Sequence, residues 1–219
     1  MNRSLKSSLA LFALTLLTSK CVSGETVKLF NGKNLDGWKL YVRGDADPKK
    51  TWNAEDGILV CTGKPNGYIM TEKAYGDYKL TLQWRWVKGK ARRRNSGVLL
   101  HLGDKHPSFP WPKSAEAQLM SGNAGDFWLI GNFGLKIDKK QQDKRTARHF
   151  FRLKKKGVEL PIGEWNTYEI VCDGGKITLK INGMLVNEGS GAELTKGHIA
   201  LQSEGSPIHF RNIELTPLK

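Results

Sequence analysis

The sequence contains few cysteines and no long apolar run. Its 219 residues include three cysteines, and none of them has the spacing of a zinc site. The apolar stretch from Leu9 to Leu17 is too short to span a bilayer, and no later stretch approaches the ~20 apolar residues that a transmembrane helix needs. The composition therefore argues against a zinc-finger protein and against helical membrane spans.

The N-terminal segment, residues 1–24, has the features of an export signal. Arg3 and Lys6 precede the apolar stretch, and the small residues Val22-Ser23-Gly24 follow it at a position that suits signal peptidase. We expect the mature chain to begin near Glu25 and to be a soluble periplasmic or secreted protein.

A lipid anchor on Cys21 is the alternative interpretation of the same segment. Lys20 occupies a position where a lipoprotein signal carries a small residue, which argues against it. We therefore expect no membrane association after removal of the signal. The remaining residues, 25–219, have the length of one β-rich domain of the larger type.

The chain is poor in acidic residues, with 21 Asp and Glu against 35 Lys and Arg and a net charge of +14. The predicted signal contains three basic residues and no acidic one, so the mature chain keeps a charge of +11. Basic residues concentrate in two runs, Lys88 to Arg94 and Lys139 to Lys156. These runs are either solvated loops or a surface for anionic glycans. No nucleic-acid motif accompanies them, so we expect no nucleic-acid partner.

The two cysteines of the mature chain, Cys61 and Cys172, each end an apolar strand-like run. In an oxidising compartment they could form a disulfide, but small buried free cysteines are common. Both alternatives stay open at this point, because a disulfide requires a narrow geometry that the sequence does not reveal.

No clear amphipathic helix occurs, and the periodicity throughout is that of β-strands. In the segment YKLTLQWRWV, apolar side chains occupy every second position and polar ones the positions between, so we assign Trp84 and Trp86 to the core. Similar short segments, separated by Gly, Asn or Asp turns, continue to the end of the chain. This pattern predicts an all-β sandwich or jelly roll of two antiparallel sheets.

Six motifs, in register over almost the whole mature chain, resemble the 3-keto-disaccharide hydrolase family. They are LFNGKNLDGW, RNSGVLLHL, EAQLMSGNAGDFW, GEWNTYEIV, KINGMLVNEG and GHIALQSEGSPIHFRNIEL. The resemblance implies a concanavalin-like jelly roll with a concave surface that faces a glycan. It also implies a carbohydrate substrate, namely a 3-keto-glycoside. In such a fold the N-terminal strand pairs with the C-terminal one, so we interpret the Asn31-Gly32 turn as structural.

Strand alternation gives the candidate catalytic residues. In RNSGVLLHL, alternation directs Leu99 and His101 to one face, where His101 is either a proton carrier or sugar ligand in the groove or a histidine bonded at the sheet edge. In EAQLM, Glu116 and Gln118 share a face, which suits a general base and a sugar-hydroxyl clamp. The alternative for this pair is an ordinary exposed strand face.

Further polar and aromatic residues are candidates for substrate binding. Trp111 lies in the Pro-rich segment HPSFPWPK and is either a stacking platform or a staple that holds the loop, while Trp128 is either a platform or part of the core. The remaining candidates carry side chains that bind sugar hydroxyls: Arg94, Asn95, Asn123, Asp126, Gln202 and Glu204.

The substrate that the resemblance implies suggests an unusual mechanism. A ketone at C3 acidifies the C2 hydrogen, so a base can remove that proton and expel the group on C1, after which water adds to the double bond. We assign Glu116 or His101 as the base, with Arg94 or a divalent cation such as calcium polarising the carbonyl. Two other functions stay open: a non-catalytic carbohydrate-binding module of the same fold, and a matrix-interaction protein that uses the basic runs.

Overall fold

The computed structural model describes residues 24–89, 93–103, 110–154 and 156–218. This part of the chain forms β-strands and two short 3₁₀ helices, Pro48–Lys50 and Lys139–Gln141. The strands are β1 (Val27–Lys28), β2 (Trp38–Val42), β3 (Trp52–Glu55), β4 (Ile58–Cys61), β5 (Gly67–Thr71), β6 (Tyr78–Trp86), β7 (Gly97–Leu102), β8 (Ser114–Gln118), β9 (Phe127–Ile130), β10 (His149–Phe150), β11 (Asn166–Asp173), β12 (Lys176–Ile181), β13 (Met184–Gly189), β14 (His198–Ser203) and β15 (Ile208–Pro217).

The strands form two antiparallel sheets. The eight-stranded sheet has the order β13-β12-β11-β6-β15-β4-β3, with β1 paired to β15 as its eighth strand. The seven-stranded sheet has the order β10-β9-β8-β7-β14-β5-β2. One large apolar cluster takes side chains from both sheets, among them Leu82 of β6 and Val98 of β7. The prediction of an all-β sandwich of two antiparallel sheets is therefore confirmed.

The alternation predicted for YKLTLQWRWV is present in β6. Every second side chain from Tyr78 to Trp86 is buried, and the side chains between them are half-buried on the outer face. β6 lies between β11 and β15, the position where a long alternating strand buries most apolar surface. Trp84 and Trp86 belong to the core as predicted.

The first strand pairs with the last one, also as predicted. Val27 faces Leu215 in the register of β1 and β15. Gly32 then adopts a φ of 78°, which glycine allows at little cost, and the chain crosses to the other sheet. The indole Nε1 of Trp38 donates a hydrogen bond of 2.7 Å to the carbonyl oxygen of Leu29, so the turn is closed across both sheets.

The two cysteines do not form a disulfide. Cys61 ends β4 and Cys172 lies in β11, and β6 and β15 separate these strands in the sheet. Three inter-strand spacings separate β4 from β11 by about 14 Å, which is twice the largest Cα separation that a disulfide tolerates. Both are buried free thiols, and burial raises the pKa of each to about 12.

The second basic run contains two short elements of regular structure. It includes the 3₁₀ helix Lys139–Gln141 and then β10, which pairs with β9 at the edge of the seven-stranded sheet. The predicted export signal up to residue 23, Cys21 included, lies outside the described residues, as do residues 90–92 of the first basic run. None of the helices in the described part is long and apolar enough to cross a membrane.

Candidate functional site

A cavity of about 280 Å³ lies on the outer face of the seven-stranded sheet. The β8 strand shows which face this is, because Ala115 and Ala117 pack in the core while Glu116 and Gln118 line the cavity. The shared face predicted for these two residues is thus present. The other lining residues come from β9 and from the segments that flank β7, β8, β9, β10 and β14: Arg93, Asn95, Trp111, Trp128, Leu129, Ile130, Gly131, Arg148 and Glu204. This cavity will be called the site pocket.

Glu116 occupies space that the neighbouring glycine leaves empty. A Cβ atom built on Gly97 of β7 would lie 2.3 Å from Oε1 of Glu116 and 2.5 Å from Oε1 of Gln202. The side chains of β8 and β14 therefore converge above β7, and any residue larger than glycine would displace them. Only 5% of the surface of Glu116 is exposed, which is unusual for a carboxylate.

Burial makes Glu116 the most perturbed acid of the site pocket. Desolvation raises its pKa well above the ordinary value, and the charge of Glu204 acts in the same direction. The pKa of Glu204 is also raised by burial, although a hydrogen bond from Asn95 and the charge of Arg93 oppose this shift. Perturbed carboxyl groups in a cavity are a mark of functional sites.

Several buried acceptors in the site pocket or next to it have no hydrogen-bond donor among the described residues. They are Oδ1 of Asn95, Oε1 of Glu116 and Oε1 of Gln202. By contrast, Oε1 of Gln118 accepts the backbone N–H groups of Leu119 and Met120, at 2.9 Å and 2.8 Å. Gln118 thus holds the end of β8, whereas the other three oxygens are available to sugar hydroxyl groups.

Arg93, and not the predicted Arg94, lines the site pocket. The Nη2 of Arg94 donates a hydrogen bond of 2.6 Å to the carbonyl oxygen of Gly89, away from the cavity. Successive side chains of an extended segment point in opposite directions, so an error of one position reverses the assignment. Arg148 is a second lining cation, and the sequence analysis did not single it out.

His101 does not line the site pocket, so the structure does not support the first of its two alternatives, a proton carrier or sugar ligand in the groove. A β-bulge interrupts the pairing of β7 with β14, and His101 sits in it with a φ of 57°. The alternation therefore breaks after Leu100. The His101 ring meets Tyr78 of the opposite sheet edge-on, with ring centroids 6.1 Å apart. Burial there lowers its pKa.

Asn123 and Asp126 lie in a neighbouring pocket with Phe151 and Arg152, not among the residues that line the site pocket. Asp126 is 1% exposed and accepts a backbone hydrogen bond of 2.8 Å from Arg152. The structure thus separates these two predicted binding residues from Glu116. Asn95, Gln118, Trp111 and Glu204 do line the site pocket, and Gln202 does not line it but lies beside Glu116 above Gly97.

Asp126 belongs to a buried chain of polar groups that runs behind the site pocket. Its Oδ2 lies 2.8 Å from Nε2 of His149, and Nδ1 of the same ring lies 3.1 Å from Oδ2 of Asp143. Arg145 closes the chain with hydrogen bonds of 2.6 to 3.2 Å to the Asp143 carboxylate. The His149 ring stacks on Trp128, with centroids 4.4 Å apart and planes 8° from parallel.

Both Trp111 and Trp128 line the site pocket, and Trp128 lies outside the apolar core cluster. Trp111 packs against a second apolar cluster on the outer face of the seven-stranded sheet, formed around Leu99 and Tyr68, and also lines the site pocket. Trp128 is half-buried against His149 and lines the same cavity. Sequence reasoning missed His149 because its partner strand β9 ends at Ile130, 19 residues before it, and no local pattern links the two.

Two properties of the surroundings bear on ligands. In the described part of the chain, no group of three or more His, Cys, Asp or Glu side chains could hold a metal ion. A divalent cation therefore stays a prediction.

On the outer face of the other sheet, Arg211 and Asn212 bind Gln83, so they lie far from the site pocket.

Residues 25–216 match the family described as a 3-keto-alpha-glucoside-1,2-lyase-like domain. The match covers almost the whole described chain and confirms the resemblance that the sequence motifs indicated. No curated protein matches this chain significantly.

Solved structures of three kinds share the fold. One is described as a putative glycosyl hydrolase from Parabacteroides distasonis ATCC 8503, with 26% identity over 89% of this chain and 100% of the other and a TM-score of 0.62. The laminarinase from Rhodothermus marinus is 8% identical over 89% and 96%, with a TM-score of 0.58. The carbohydrate-binding module CBM66 from Bacillus subtilis is 12% identical over 81% and 94%, with a TM-score of 0.52.

Proposed function

The chain belongs to the 3-keto-alpha-glucoside-1,2-lyase-like domain family, and from this membership we propose that it is an exported enzyme which cleaves the glycosidic bond of 3-keto-glycosides. At a coarser level, it carries a glycosyl-hydrolase-like domain whose structural neighbours include a carbohydrate-binding module. The observation that supports the proposal most strongly is the buried Glu116, which lines the site pocket with a raised pKa.

The proposed reaction begins with proton abstraction. A base removes the C2 proton, and the electron pair of that bond forms the enolate of the C3 ketone. Collapse of the enolate re-forms the carbonyl, makes a C1–C2 double bond and breaks the bond from C1 to the glycosidic oxygen, which takes up a proton. Addition of water across the double bond then gives the keto sugar, so the net result is hydrolysis.

Glu116 is the base in this proposal. A carboxyl group of raised pKa is a stronger base once ionised, which suits abstraction of a carbon-bound proton. Glu204 lies close enough to raise the pKa of Glu116 and, because its own pKa is also raised, it suits the acid that protonates the leaving oxygen. His101 is withdrawn from the assignment because its ring faces Tyr78 inside the sandwich.

Arg93 takes over the role first assigned to Arg94. A guanidinium at the rim of the site pocket can hydrogen-bond the developing enolate oxygen, and Arg148 offers a second one. A divalent cation such as calcium stays an alternative for polarising the C3 carbonyl, but the described residues offer it no group of three or more His, Cys, Asp or Glu ligands, so the proposed reaction relies on the two guanidinium groups.

A non-catalytic carbohydrate-binding module is the second candidate, favoured by the fold shared with CBM66. Such a module needs stacking rings and ordinary hydrogen-bonding groups, and Trp111 and Trp128 would serve it equally well. It has no need of a desolvated carboxyl group. The burial of Glu116 therefore favours the enzyme.

Incubation of the purified protein with 3-keto disaccharides tests whether it is the proposed enzyme or a non-catalytic binding module. We expect release of ketoglucose and the second sugar, measured by chromatography with mass detection, and no release by a Glu116→Gln variant. The matching unoxidised disaccharides are the control. Their cleavage at an equal rate would remove the elimination mechanism but keep the enzyme class. Binding without any cleavage would favour the module.

A further inference from the structure

The buried chain behind the site pocket has a feature that the reaction does not use. Both nitrogens of the His149 ring point at carboxylate oxygens, Asp126 on one side and Asp143 on the other. A neutral imidazole has one N–H and can donate to only one of them. Both hydrogen bonds form together only when the ring carries both protons, so this geometry suits the imidazolium.

The two carboxylates also accept hydrogen bonds from other groups. Asp126 accepts hydrogen bonds from the backbone N–H of Arg152 and from Nδ2 of Asn123, at 2.8 Å and 3.1 Å. Hydrogen bonds from Arg145 lower the pKa of Asp143. Burial on its own would lower the pKa of His149, but the hydrogen bonds that the ring donates to both carboxylates, together with their negative charges, outweigh it and raise the pKa.

The imidazolium is in direct contact with a wall of the site pocket. His149 and Trp128 are directly opposite each other in the pairing of β10 with β9, and their rings are almost parallel at 4.4 Å. Phe151 also contacts the His149 ring, edge-on, with ring centroids 4.5 Å apart. A cation stacked on an indole is attracted to the ring face. One face of Trp128 is thus fixed, and its remaining surface lines the cavity.

We propose that Trp128 is the platform on which a sugar ring stacks in the site pocket, and that the Asp126–His149–Asp143 chain positions it. The proposal rests on the carbohydrate function argued above. Indole faces are the usual stacking surface for sugar rings because they are flat, apolar and rigid. Trp128 is the platform residue, whereas His149 is a positioning residue that contacts no substrate.

A double-mutant cycle tests the two roles. The probe is methyl 3-keto-α-glucoside, with KM and kcat measured for wild type, Trp128→Leu, His149→Gln and the double variant. We expect Trp128→Leu to raise KM about 10- to 30-fold, as for a buried aromatic contact, and His149→Gln about 3- to 10-fold. In the Trp128→Leu background, His149→Gln should raise KM no further, because its effect passes through the indole. An equal increase in both backgrounds would overturn the positioning role.

The matched control is Trp165→Phe. Trp165 stacks under Arg85 and Arg211, at 4.6 Å and 4.1 Å, on the other sheet. This change should leave KM and kcat as in wild type. Thermal unfolding of each variant separates loss of binding from loss of fold, and Trp128→Phe is the milder substitute if Trp128→Leu does not fold. A wild-type KM in the folded Trp128 variant would remove the platform.

The pH dependence of binding is a readout that a purely structural histidine would not give. We measure binding of the same sugar in the Glu116→Gln background, where turnover and the titration of Glu116 are both absent. Affinity should fall as the pH rises through the raised pKa of His149, since the neutral ring loses one carboxylate contact. Glu204 and Arg148 also face the cavity, so the fall in affinity is assigned to His149 only if it disappears in the His149→Gln variant. A fall in affinity with pH that persists in His149→Gln contradicts the proposal.

The outcomes distinguish this inference from the proposed function. Turnover of the 3-keto-glycoside with an unchanged KM in the Trp128 variants overturns the inference alone. If the wild type cleaves no 3-keto-glycoside, a series of unoxidised glucose oligosaccharides replaces it as the binding probe. Binding of one of these that depends on Trp128 keeps the inference and removes the proposed reaction. No binding of any of these sugars overturns both.

Discussion

The side-chain oxygens of Glu116 and Gln202 meet above the same glycine. A Cβ on Gly97 would lie 2.3 Å from the first and 2.5 Å from the second, and neither oxygen has a hydrogen-bond donor among the described residues. A sugar hydroxyl group that donates at this point would satisfy one of these acceptors. Burial raises the pKa of Glu116, and no donor at this oxygen opposes the shift.

The first prediction concerns the base. Glu116→Gln keeps the shape of the side chain but removes the basic group, so turnover of 3-keto disaccharides should fall by about 10²- to 10⁴-fold while KM changes little. The measurement is steady-state kinetics beside a thermal unfolding curve. Glu169→Gln is the matched control, because Glu169 pairs with Lys180 at 3.1 Å on the outer face of the other sheet. Unchanged turnover in folded Glu116→Gln would exclude Glu116 as the base.

The second prediction is the pH dependence of the rate. Only the ionised carboxylate abstracts a proton, and burial raises the pKa of Glu116, so kcat/KM should rise with pH through a midpoint above the ordinary value for glutamate. The same pH profile of kcat/KM, measured for Glu116→Gln and for Glu204→Gln, shows which of the two carboxyl groups gives the midpoint. A rate that is already constant at the pH where an ordinary glutamate ionises would contradict the role of burial.

The same shift has a consequence for stability. A carboxyl group whose pKa is higher in the folded state than in the unfolded state stabilises the fold fully below the unfolded value, about 4.3. This contribution is lost as the pH rises through the folded value. Unfolding midpoints should therefore decrease over this window in the wild type relative to Glu116→Gln, whose amide does not titrate. Parallel curves for the two proteins would argue against the raised pKa.

The third prediction uses the glycine. Gly97→Ala adds a methyl group where the Glu116 and Gln202 oxygens lie, so it should lower turnover by displacing the base and destabilise the fold by about 1–3 kcal/mol. Gly76→Ala is the control, because its nearest neighbouring atom is 3.9 Å away and its φ is not positive. The readouts are kcat and denaturant unfolding. Wild-type kinetics in Gly97→Ala would show that the position of Glu116 is unimportant.

The fourth prediction tests the mechanism through the substrate. A 3-keto-glycoside with deuterium at C2 should react more slowly or exchange its label with solvent, since the C2–H bond breaks before or during glycosidic cleavage. The measurement is competition between labelled and unlabelled substrate with mass analysis of both recovered substrate and product. Full retention of deuterium in ketoglucose with no rate difference would exclude elimination and favour a conventional pair formed by Glu116 and Glu204.

The fifth prediction concerns the second basic run. Replacement of three of its exposed lysines, Lys139, Lys140 and Lys144, by glutamine should leave turnover of a neutral keto sugar within about two-fold, because none of them lines the site pocket. The companion measurement is retention on an acidic polysaccharide as a function of salt. Loss of a steeply salt-dependent retention would revive a matrix partner for this surface.

Local sequence patterns were sufficient to predict the two-sheet architecture. Strand alternation in β6, the turns around Gly32 and the alternation of Glu116 with Ala115 and Ala117 all follow from the two-residue period of a β-strand. The period also identifies the faces, since apolar side chains must point to the core. The sandwich, the core tryptophans and the shared face of Glu116 and Gln118 were predictable for this reason.

The predicted direction of a side chain was wrong where a shift of one residue reversed the alternation of the two strand faces. The bulge at His101 turns that side chain away from the groove, and the choice between Arg93 and Arg94 depends on a single position before β7. A local pattern contains no information about a bulge, because the bulge results from pairing with β14, which is distant in the chain.

The composition of the candidate site depended on the folded chain. Glu116, Gln202 and Glu204 come together because β8 and β14 flank β7, and His149 meets Trp128 because the chain returns to the edge of the sheet as β10. The spacing of residues along a strand is fixed by covalent geometry, so it can be read from the sequence. The order of strands across a sheet is fixed by the burial of the whole core, to which every strand contributes, and so the neighbours of each side chain became known only in the folded state.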